Sequence, residues 1–305
     1  MRVLFIFLDG IGLGENNPET NPFARASMPN LNRLLDGRSL LKGSAPFHGE
    51  YASLLAVDPA VGVSGLPQSA TGQAMLLTGI NIQAELGYHY GPKPNPEVAA
   101  YLRNGNLFSD ITKAGKRAAL LNAYPPRYFH GVDSGKRLYS SIPLAVTSAS
   151  LPLFRHDDFL AGRALSADFT GEGWRTMLGF DDAPVLDPAQ AGRKLGALAK
   201  EYDFSLFEYW ASDYAGHKQQ MEQAIDLMEI FDSALGGLVA AWDEEGLILV
   251  TSDHGNMEDM STRRHTDADV PALVIGEKAA REEFTREIKD LTDITPAIRR
   301  TIMNP

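Results

Sequence analysis

Continuous hydrophobic runs recur along the chain and are separated by stretches with a helical spacing of apolar residues. The first run is almost wholly apolar and ends at Asp9-Gly10. Uninterrupted runs of this length are typical of strands that are buried on both faces of a sheet. The pattern therefore predicts strands at Val3–Leu8, Arg117–Leu121, Phe204–Tyr209, Leu247–Thr251 and Ala272–Ile275.

Helices are predicted between these runs. A cap-like Asn opens Asn106–Ala114, and Gly115 ends it. A second helix starts at Asp187-Pro188 and continues through AQAGRKLGALAKEY. The longest runs from about Gly216 to Glu245, because its large apolar residues fall on roughly one face.

Strands that alternate with helices predict an α/β fold, a sandwich around a mostly parallel sheet. Two stretches fit this alternation poorly. Residues 81–104 contain GYHYGPKPNP and are predicted to form a loop. Residues 130–186 have short mixed segments and several glycines, which indicate a small inserted cap or elaborated loop. The core then comprises residues 1–129 and 187–305.

Composition excludes several classes of function. The formal net charge of −11 argues against nucleic acid or an anionic membrane surface as the main partner. The chain has no cysteine, so disulfides, thiolate catalysis and Cys-based zinc sites are excluded. MRVLFIFLDG is too short an apolar start for a signal peptide, and no apolar run approaches the roughly 20 residues of a membrane span. We expect a cytoplasmic protein; the oligomeric state is left open.

Acidic and histidine residues follow several of the predicted strands. Asp9, Asp213 and Asp253 each come just after an apolar run, and ligands bind beyond the carboxyl ends of the strands in sheets of this kind. His217 lies four residues after Asp213, on the same face of a helical turn. The remaining candidate ligands are His254 and His265. Three carboxylates and three imidazoles suffice for two divalent ions.

The nucleophile candidate is Ser69, in GLPQSATGQAMLLTG. It follows a Pro-Gln turn and precedes a run that is predicted to be helical. A hydroxyl at a helix N-terminus faces free backbone N–H groups, which suit a phosphate or an oxyanion. Each residue also has a plainer interpretation: Asp9 as a turn former, Ser69 as an N-cap, and Asp213 with His217 as a solvated pair.

Together, FLDG, SATGQ, SDYAGH, SDHGN and RHT followed by VPALVIG resemble the metal-binding core of the alkaline phosphatase superfamily. The branch that they resemble most is that of cofactor-independent phosphoglycerate mutase and phosphopentomutase. The resemblance covers about residues 1–80, 105–128 and 185–305, in collinear order. It implies an alkaline-phosphatase-like three-layer sandwich.

The resemblance also implies roles for individual residues. Asp213, His217 and His265 would hold one ion, and Asp9, Asp253 and His254 the other, with Ser69 Oγ next to the second. The serine would be phosphorylated transiently by in-line attack. Mixed Asp and His ligands suit Mn²⁺ and Zn²⁺ about equally. Weaker candidates for substrate contacts are Gln73, Arg127, Arg263 and Arg264.

Two departures from the mutase pattern favour a phosphatase. Gln73 stands where the mutases have a histidine, and an amide cannot shuttle a proton. The mutases also insert a large substrate-binding domain after the nucleophile helix, whereas only about 25 residues separate Gly79 from Gly105 here. A mutase must exclude water from its phosphoenzyme, and a closing domain is the usual means.

We therefore predict a metal-dependent phosphatase that acts on a small phosphorylated metabolite through a phosphoserine at Ser69. One alternative is a phosphoglycerate-mutase-like isomerase. Others are hydrolysis of a phosphodiester, a phosphonate or a sulfate ester, because all these reactions need the same ligands. The non-enzymatic alternative is a metal-binding regulatory protein.

Overall fold

The computed structural model describes residues 1–243 and 245–303. The strands are β1 (Arg2–Leu8), β2 (Phe47–His48), β3 (Ala52–Val57), β4 (Ala118–Leu120), β5 (Ala123–Tyr124), β6 (Phe154–Arg155), β7 (Phe204–Tyr209), β8 (Gly246–Thr251) and β9 (Val270–Ile275). The helices are α1 (Pro29–Leu34), α2 (Ser69–Thr78), α3 (Ile82–Leu86), α4 (Pro96–Asn104), α5 (Leu107–Lys113), α6 (Pro126–Asp133), α7 (Ser141–Ser148), α8 (His156–Leu160), α9 (Glu172–Thr176), α10 (Pro188–Ala199), α11 (Ala211–Lys218), α12 (Met221–Ala241), α13 (Lys278–Thr285) and α14 (Ile294–Met303).

Within the described residues, the main sheet has seven strands in the order β2-β3-β9-β8-β1-β7-β4. The central strands β8, β1, β7 and β4 are parallel to one another. β9 is antiparallel to both of its neighbours, so the sheet is mixed although most of its strands point the same way. The predicted α/β sandwich around a mostly parallel sheet is confirmed.

Side chains of β1 alternate between two hydrophobic layers. Val3, Phe5 and Phe7 pack under a layer that includes α2, α4, α5, α7 and α14. Leu4 and Ile6 pack under the layer of α10 and α12 on the opposite face. Because strand side chains point to alternate faces, a continuous apolar run supplies both halves of the core.

The predicted long helix is wrong in its bounds. The chain forms α11 immediately after β7, and α12 begins only at Met221. Gln219 lies between them with φ +53°, a left-handed conformation that ends α11. Glu244, near the end of the predicted helix, and residues 304–305 of the predicted core lie outside the described residues.

The prediction of a loop at 81–104 is wrong in part, because α3 and α4 lie within it. Both helices have a capping Asn, and Pro96 occupies the first turn of α4. The division into a core and a cap at 130–186 stays a prediction. Within that stretch, α7 packs into the hydrophobic layer of α2, whereas Phe159 and Trp174 form a small separate cluster.

None of the helices in the described part of the chain combines the length and apolar character needed to cross a membrane.

Candidate metal centre

Three neighbouring parallel strands end at the same edge of the sheet and bring the candidate ligands together. Asp9 directly follows β1, and Asp253 and His254 are the second and third residues after β8. Asp213 lies in the first turn of α11, which follows β7. His265 returns from the connection between β8 and β9. All six side chains thus lie in one region, as the strand order requires.

The first cluster comprises Asp213, His217 and His265, whose ligand atoms all lie within 4.8 Å of one another. Nε2 of His217 is 3.3 Å from Asp213 Oδ2 and 3.3 Å from Nε2 of His265. Nε2 of His265 is 3.8 Å from Asp213 Oδ1. The two imidazoles and the carboxylate therefore face a common point.

The second cluster is centred on His254. Its Nε2 is 3.6 Å from Asp9 Oδ1 and 3.5 Å from Asp253 Oδ2. Asp9, Asp213 and His254 also have ligand atoms within 4.8 Å of one another, so Asp213 reaches both clusters. The rings of His254 and His265 stack with centroids 3.7 Å apart, which places the clusters side by side.

Backbone carbonyls orient the three imidazoles. Nδ1 of His217 lies 2.8 Å from Arg263 O, and Nδ1 of His265 lies 2.8 Å from Pro67 O. Nδ1 of His254 lies 3.3 Å from Gly255 O. A carbonyl only accepts, so these contacts require Nδ1–H and leave the Nε2 lone pair facing the carboxylates. This orientation is typical of histidines that bind metal through Nε2.

The electrostatics favour neutral imidazoles at His254 and His265, whereas the hydrogen bond to Asp213 raises the pKa of His217. Burial lowers the pKa of His254 and of His265 to about 4. Burial and then the charge of Asp213 raise the pKa of Asp253 to about 7, and burial with the charge of Asp253 raises that of Asp9 well above its usual value. Cations would relieve this crowding of buried carboxylates.

Unpaired polar atoms at the same place show that the donor set fits divalent ions. Asp9 Oδ1, Gln73 Oε1 and Asn256 Oδ1 are buried and have no hydrogen-bond partner in the described part of the chain. Buried polar atoms are rarely left unsatisfied, so such a group calls for an explanation. Mixed oxygen and imidazole donors match the preferences of Mn²⁺ and Zn²⁺.

Ser69 is the first residue of α2 and is buried. Its Oγ lies 3.0 Å from Nε2 of His254, which places the hydroxyl at the second cluster. Three residues later, Gly72 allows α2 to approach the β8 loop, because a Cβ there would lie only 2.8 Å from the carbonyl oxygen of Asp253. Any larger residue at position 72 would therefore clash with the loop after β8, which explains the glycine in SATGQ.

The weaker candidates lie in different places. Gln73 Nε2 donates to Asp253 Oδ2 at 3.1 Å. Arg264 lines a cleft of about 520 Å³ together with His217 and His265. Arg263 is exposed and donates from Nε to Gln219 Oε1, and Arg127 is exposed on α6. Gln73 and Arg264 adjoin the clusters through a side-chain contact or a shared cleft, whereas Arg263 contacts His217 through its backbone carbonyl.

Three buried residues at the centre were missed from the sequence. Asn256 Nδ2 donates to Asp213 Oδ1 at 2.6 Å, and Glu258 accepts from the backbone N–H groups of Gly12 and Asn256. Glu208 in β7 accepts from the hydroxyl of Tyr124, and burial raises its pKa to about 7. A signal existed for Glu208, because it is the one charged residue in an otherwise apolar run.

A larger cavity, of about 740 Å³, lies elsewhere. Arg2, Arg117 and Asp203 line it, and these residues stand at or just before the beginnings of β1, β4 and β7. It is therefore at the opposite edge of the sheet from the ligands.

Comparison with known proteins shows which family and which relatives the chain resembles. The family model of the metalloenzyme superfamily matches residues 182–304. The 2,3-bisphosphoglycerate-independent phosphoglycerate mutase of Vibrio parahaemolyticus is 27% identical over 206 residues, which are 63% of this chain and 40% of that protein. These matches support the resemblance to the alkaline phosphatase superfamily. It spans less than half the length of the curated relatives that it matches.

Solved structures of low identity share the fold. Alkaline phosphatase from the Antarctic bacterium TAB5 has a TM-score of 0.58 and 13% identity, with 99% of this chain and 97% of that chain covered. The PH0037 protein from Pyrococcus horikoshii has a TM-score of 0.58 and 15% identity, with 100% and 97% covered. The family resemblance and the expected alkaline-phosphatase-like fold are thus confirmed.

Proposed function

We propose that this protein is a metal-dependent phosphoryl-transfer enzyme and that it acts as a phosphatase on a small phosphorylated metabolite. The observation that carries the proposal is the position of Ser69 Oγ, 3.0 Å from His254 Nε2 and at the N-terminus of a ten-residue helix. A hydroxyl is thereby placed beside six metal-type ligands and at a helix N-terminus, which favours an anion.

Two divalent ions, Mn²⁺ or Zn²⁺, fit the donor set. Asp213, His217 and His265 would hold one, and Asp9, Asp253 and His254 the other, with Asp213 within reach of both. When bound, such ions supply charge stabilisation to the transferring phosphoryl group and lower the pKa of a nearby hydroxyl.

The residues of the chain divide the remaining work. Ser69 Oγ gives up its proton to solvent and attacks the phosphorus in line. The bond from phosphorus to the ester oxygen breaks, a phosphoserine forms, and the leaving group takes up a proton from solvent and departs as the alcohol. Water then attacks the phosphoserine, which releases phosphate and restores the hydroxyl. Gln73 and Asn256 hold the carboxylates of Asp253 and Asp213 in place.

A phosphoglycerate-mutase-like isomerase is the second candidate, because the curated relatives are 2,3-bisphosphoglycerate-independent phosphoglycerate mutases. Hydrolysis is favoured because the stretch from Gly79 to Gly105 holds α3, α4 and their connecting loop, where the mutases would insert a large domain. A mutase needs a device that keeps water from the phosphoenzyme.

The decisive experiment measures phosphate release from p-nitrophenyl phosphate and from a set of phosphorylated metabolites, with Mn²⁺ or Zn²⁺ loaded. We expect release in the wild type and in Ser134→Ala, and loss of about 1,000-fold or more in Ser69→Ala. Ser134 is a suitable control because it is an exposed serine at the end of α6 that does not line the cleft beside the candidate ligands.

Mass spectrometry of the acid-quenched reaction should find a phosphate on the peptide that contains Ser69. Migration of phosphate between the 2- and 3-positions of phosphoglycerate without release would establish the mutase instead. Metal-loaded protein that turns over none of these compounds would overturn both and leave the non-catalytic, metal-binding alternative.

A further inference from the structure

A short loop packs against the residues that surround Ser69. We call residues 87–91, with the sequence GYHYG, the tyrosine loop. The N–H of Thr71 donates to Tyr90 O at 3.0 Å, and the N–H of Tyr90 donates to Thr71 Oγ1 at 3.3 Å. A Cβ at Gly91 would lie 3.2 Å from the backbone nitrogen of Ser69. The loop therefore touches the chain at the nucleophile itself.

His89 anchors the tyrosine loop to two other segments of the chain. Its Nδ1 lies 2.8 Å from Gln83 Oε1, and its Nε2 lies 3.0 Å from Val63 O. Gln83 is buried and donates from Nε2 to Pro59 O at 3.0 Å. The loop is thus anchored to two neighbouring segments through the residue that separates its two tyrosines.

The two tyrosines of this loop line the cleft next to the metal ligands. Tyr88 is 43% exposed, and its ring lies 6.2 Å from that of Tyr90 at an interplanar angle of 73°. Arg264 and His217 line the same cleft. Among the described residues, no Asp or Glu belongs to the lining. The space beside Ser69 is therefore bordered by aromatic rings and by one guanidinium.

We propose that the tyrosine loop and Arg264 bind the leaving group of the substrate and select phosphate monoesters of ring-bearing, aromatic alcohols. This inference rests on the proposed function, because it assigns the cleft to the ester group that Ser69 displaces. Aromatic pairs contribute beyond their buried area, and a planar guanidinium stacks on ring faces. An aliphatic leaving group gains neither contact.

Binding of non-hydrolysable phosphonates tests the proposal without relying on turnover. Titration calorimetry on Mn²⁺-loaded protein would compare phenylphosphonate with methylphosphonate. In the wild type we expect tighter binding of the phenyl compound. Tyr88→Ala should weaken phenylphosphonate binding about 3- to 10-fold and leave methylphosphonate binding unchanged, which corresponds to the loss of one aromatic contact.

Two variants serve as controls. Tyr88→Phe removes only the hydroxyl and should keep the preference for the phenyl compound. Tyr51→Ala removes a similarly exposed tyrosine that immediately precedes β3, where Ala52 pairs with Ile275 at the opposite edge of the sheet, and should change nothing. Because Tyr88 is partly exposed, its truncation should leave the melting temperature within a few degrees of the wild type.

The outcomes separate this proposal from the proposed function. If Tyr88→Ala weakens both phosphonates equally, or neither, the selection of aromatic groups is wrong even where Ser69-dependent turnover persists. If phenylphosphonate binding depends on Tyr88 but no ester is hydrolysed, the assignment of the cleft is supported and the proposed phosphatase activity is refuted. Protein that binds neither phosphonate and turns over no ester overturns both.

Discussion

Oγ of Ser69 lies 3.0 Å from Nε2 of His254, and the same ring nitrogen lies 3.5 Å from Asp253 Oδ2. A hydroxyl, an imidazole and a carboxylate thus lie next to one another in a buried region just after β8. A structural role for the serine alone, as a helix cap, would not require the hydroxyl to face an imidazole. The pair links the proposed nucleophile to the candidate metal ligands, and the predictions below test that link.

Replacement of His254 by Ala should remove one of the two ions. His254 supplies the imidazole of the second cluster, and its neighbours are carboxylates that already repel one another. Loss of a ligand should lower the affinity of that site by at least about 100-fold. Elemental analysis after dialysis should then find about one ion per chain.

The matched control is His130→Ala, which removes an exposed histidine from α6. This variant should keep both ions. Equal metal content in the two variants would refute the assignment of His254.

Gln73→Ala should impair the second cluster without removing a ligand. Gln73 Nε2 donates to Asp253 Oδ2, and Gln73 is 4% exposed. A carboxylate that loses its orienting partner holds a metal less well, typically by 10- to 100-fold. Competition with a chelator would measure this fall, and Gln223→Ala, an exposed position of α12, should show none.

Glu258→Ala should destabilise the loop that carries the β8 ligands. The carboxylate accepts from Gly12 N at 2.9 Å and from Asn256 N at 2.8 Å, and Thr266 Oγ1 donates to it as well. Truncation would leave buried donors unpaired, at a cost of about 2–5 kcal/mol in the free energy of unfolding. Urea denaturation would measure it.

Glu258→Gln is the conservative partner of that variant. An amide oxygen can still accept from both backbone N–H groups, and the NH₂ group can donate to the threonine hydroxyl. We expect less than half of the loss found for Ala. An equal loss in both variants would mean that the charge, not the hydrogen bonds, stabilises the loop.

The strands were predictable because they are buried on both faces and leave an uninterrupted apolar signal. Their direction was not, because the run at 270–275 looks the same whether it is parallel or antiparallel to its neighbours. β3 was missed although only Ser53 interrupts the apolar run from Ala52 to Val57. Orientation depends on connections and pairings that periodicity does not record.

The candidate ligands were predictable from their order and their positions after strands, and the structure brings all six together. The residues that hold them in place were not. Glu258 is 246 positions from Gly12, and its role exists only once β1 and β8 are side by side. Supporting contacts of this kind depend on tertiary structure and leave no local pattern.

Removal of metal should lower the melting temperature. The centre buries Asp9 and Asp253 together. Burial raises the pKa of both, and the charge of Asp253 adds to this at Asp9, as the charge of Asp213 does at Asp253. An ion that binds only the folded chain stabilises it by about 2.7 kcal/mol at a concentration 100-fold above Kd. For a chain of this length we expect a rise of several degrees on adding Mn²⁺ to chelator-treated protein.

Differential scanning fluorimetry should show that Asp253→Asn reduces this rise in melting temperature by more than half. Ca²⁺ at the same concentration is a useful comparison, because it prefers more oxygen ligands and fits imidazoles poorly. A variant that responds to Mn²⁺ as the wild type does would show that the stabilising ion binds elsewhere.

The stability contributed by Asp158 should depend on pH in a defined direction. Burial would raise the pKa of this carboxyl, but hydrogen bonds from Arg155 N and from Arg163 outweigh burial and hold the pKa below its usual value. A carboxyl whose folded pKa is lowered contributes stability above its unfolded pKa of about 3.9 and loses it as the pH falls through the folded value.

Asp158→Asn should therefore cost about 0.5–1 kcal/mol at pH 7 and at pH 5, a modest value because the ion pair lies near the surface. The difference from the wild type should shrink below pH 4, where the carboxyl of the wild type becomes protonated. Asp181→Asn, an exposed position in the same 130–186 stretch, should match the wild type throughout. Urea unfolding at the three pH values tests the sign, since a difference that grows on acidification would require a raised pKa instead.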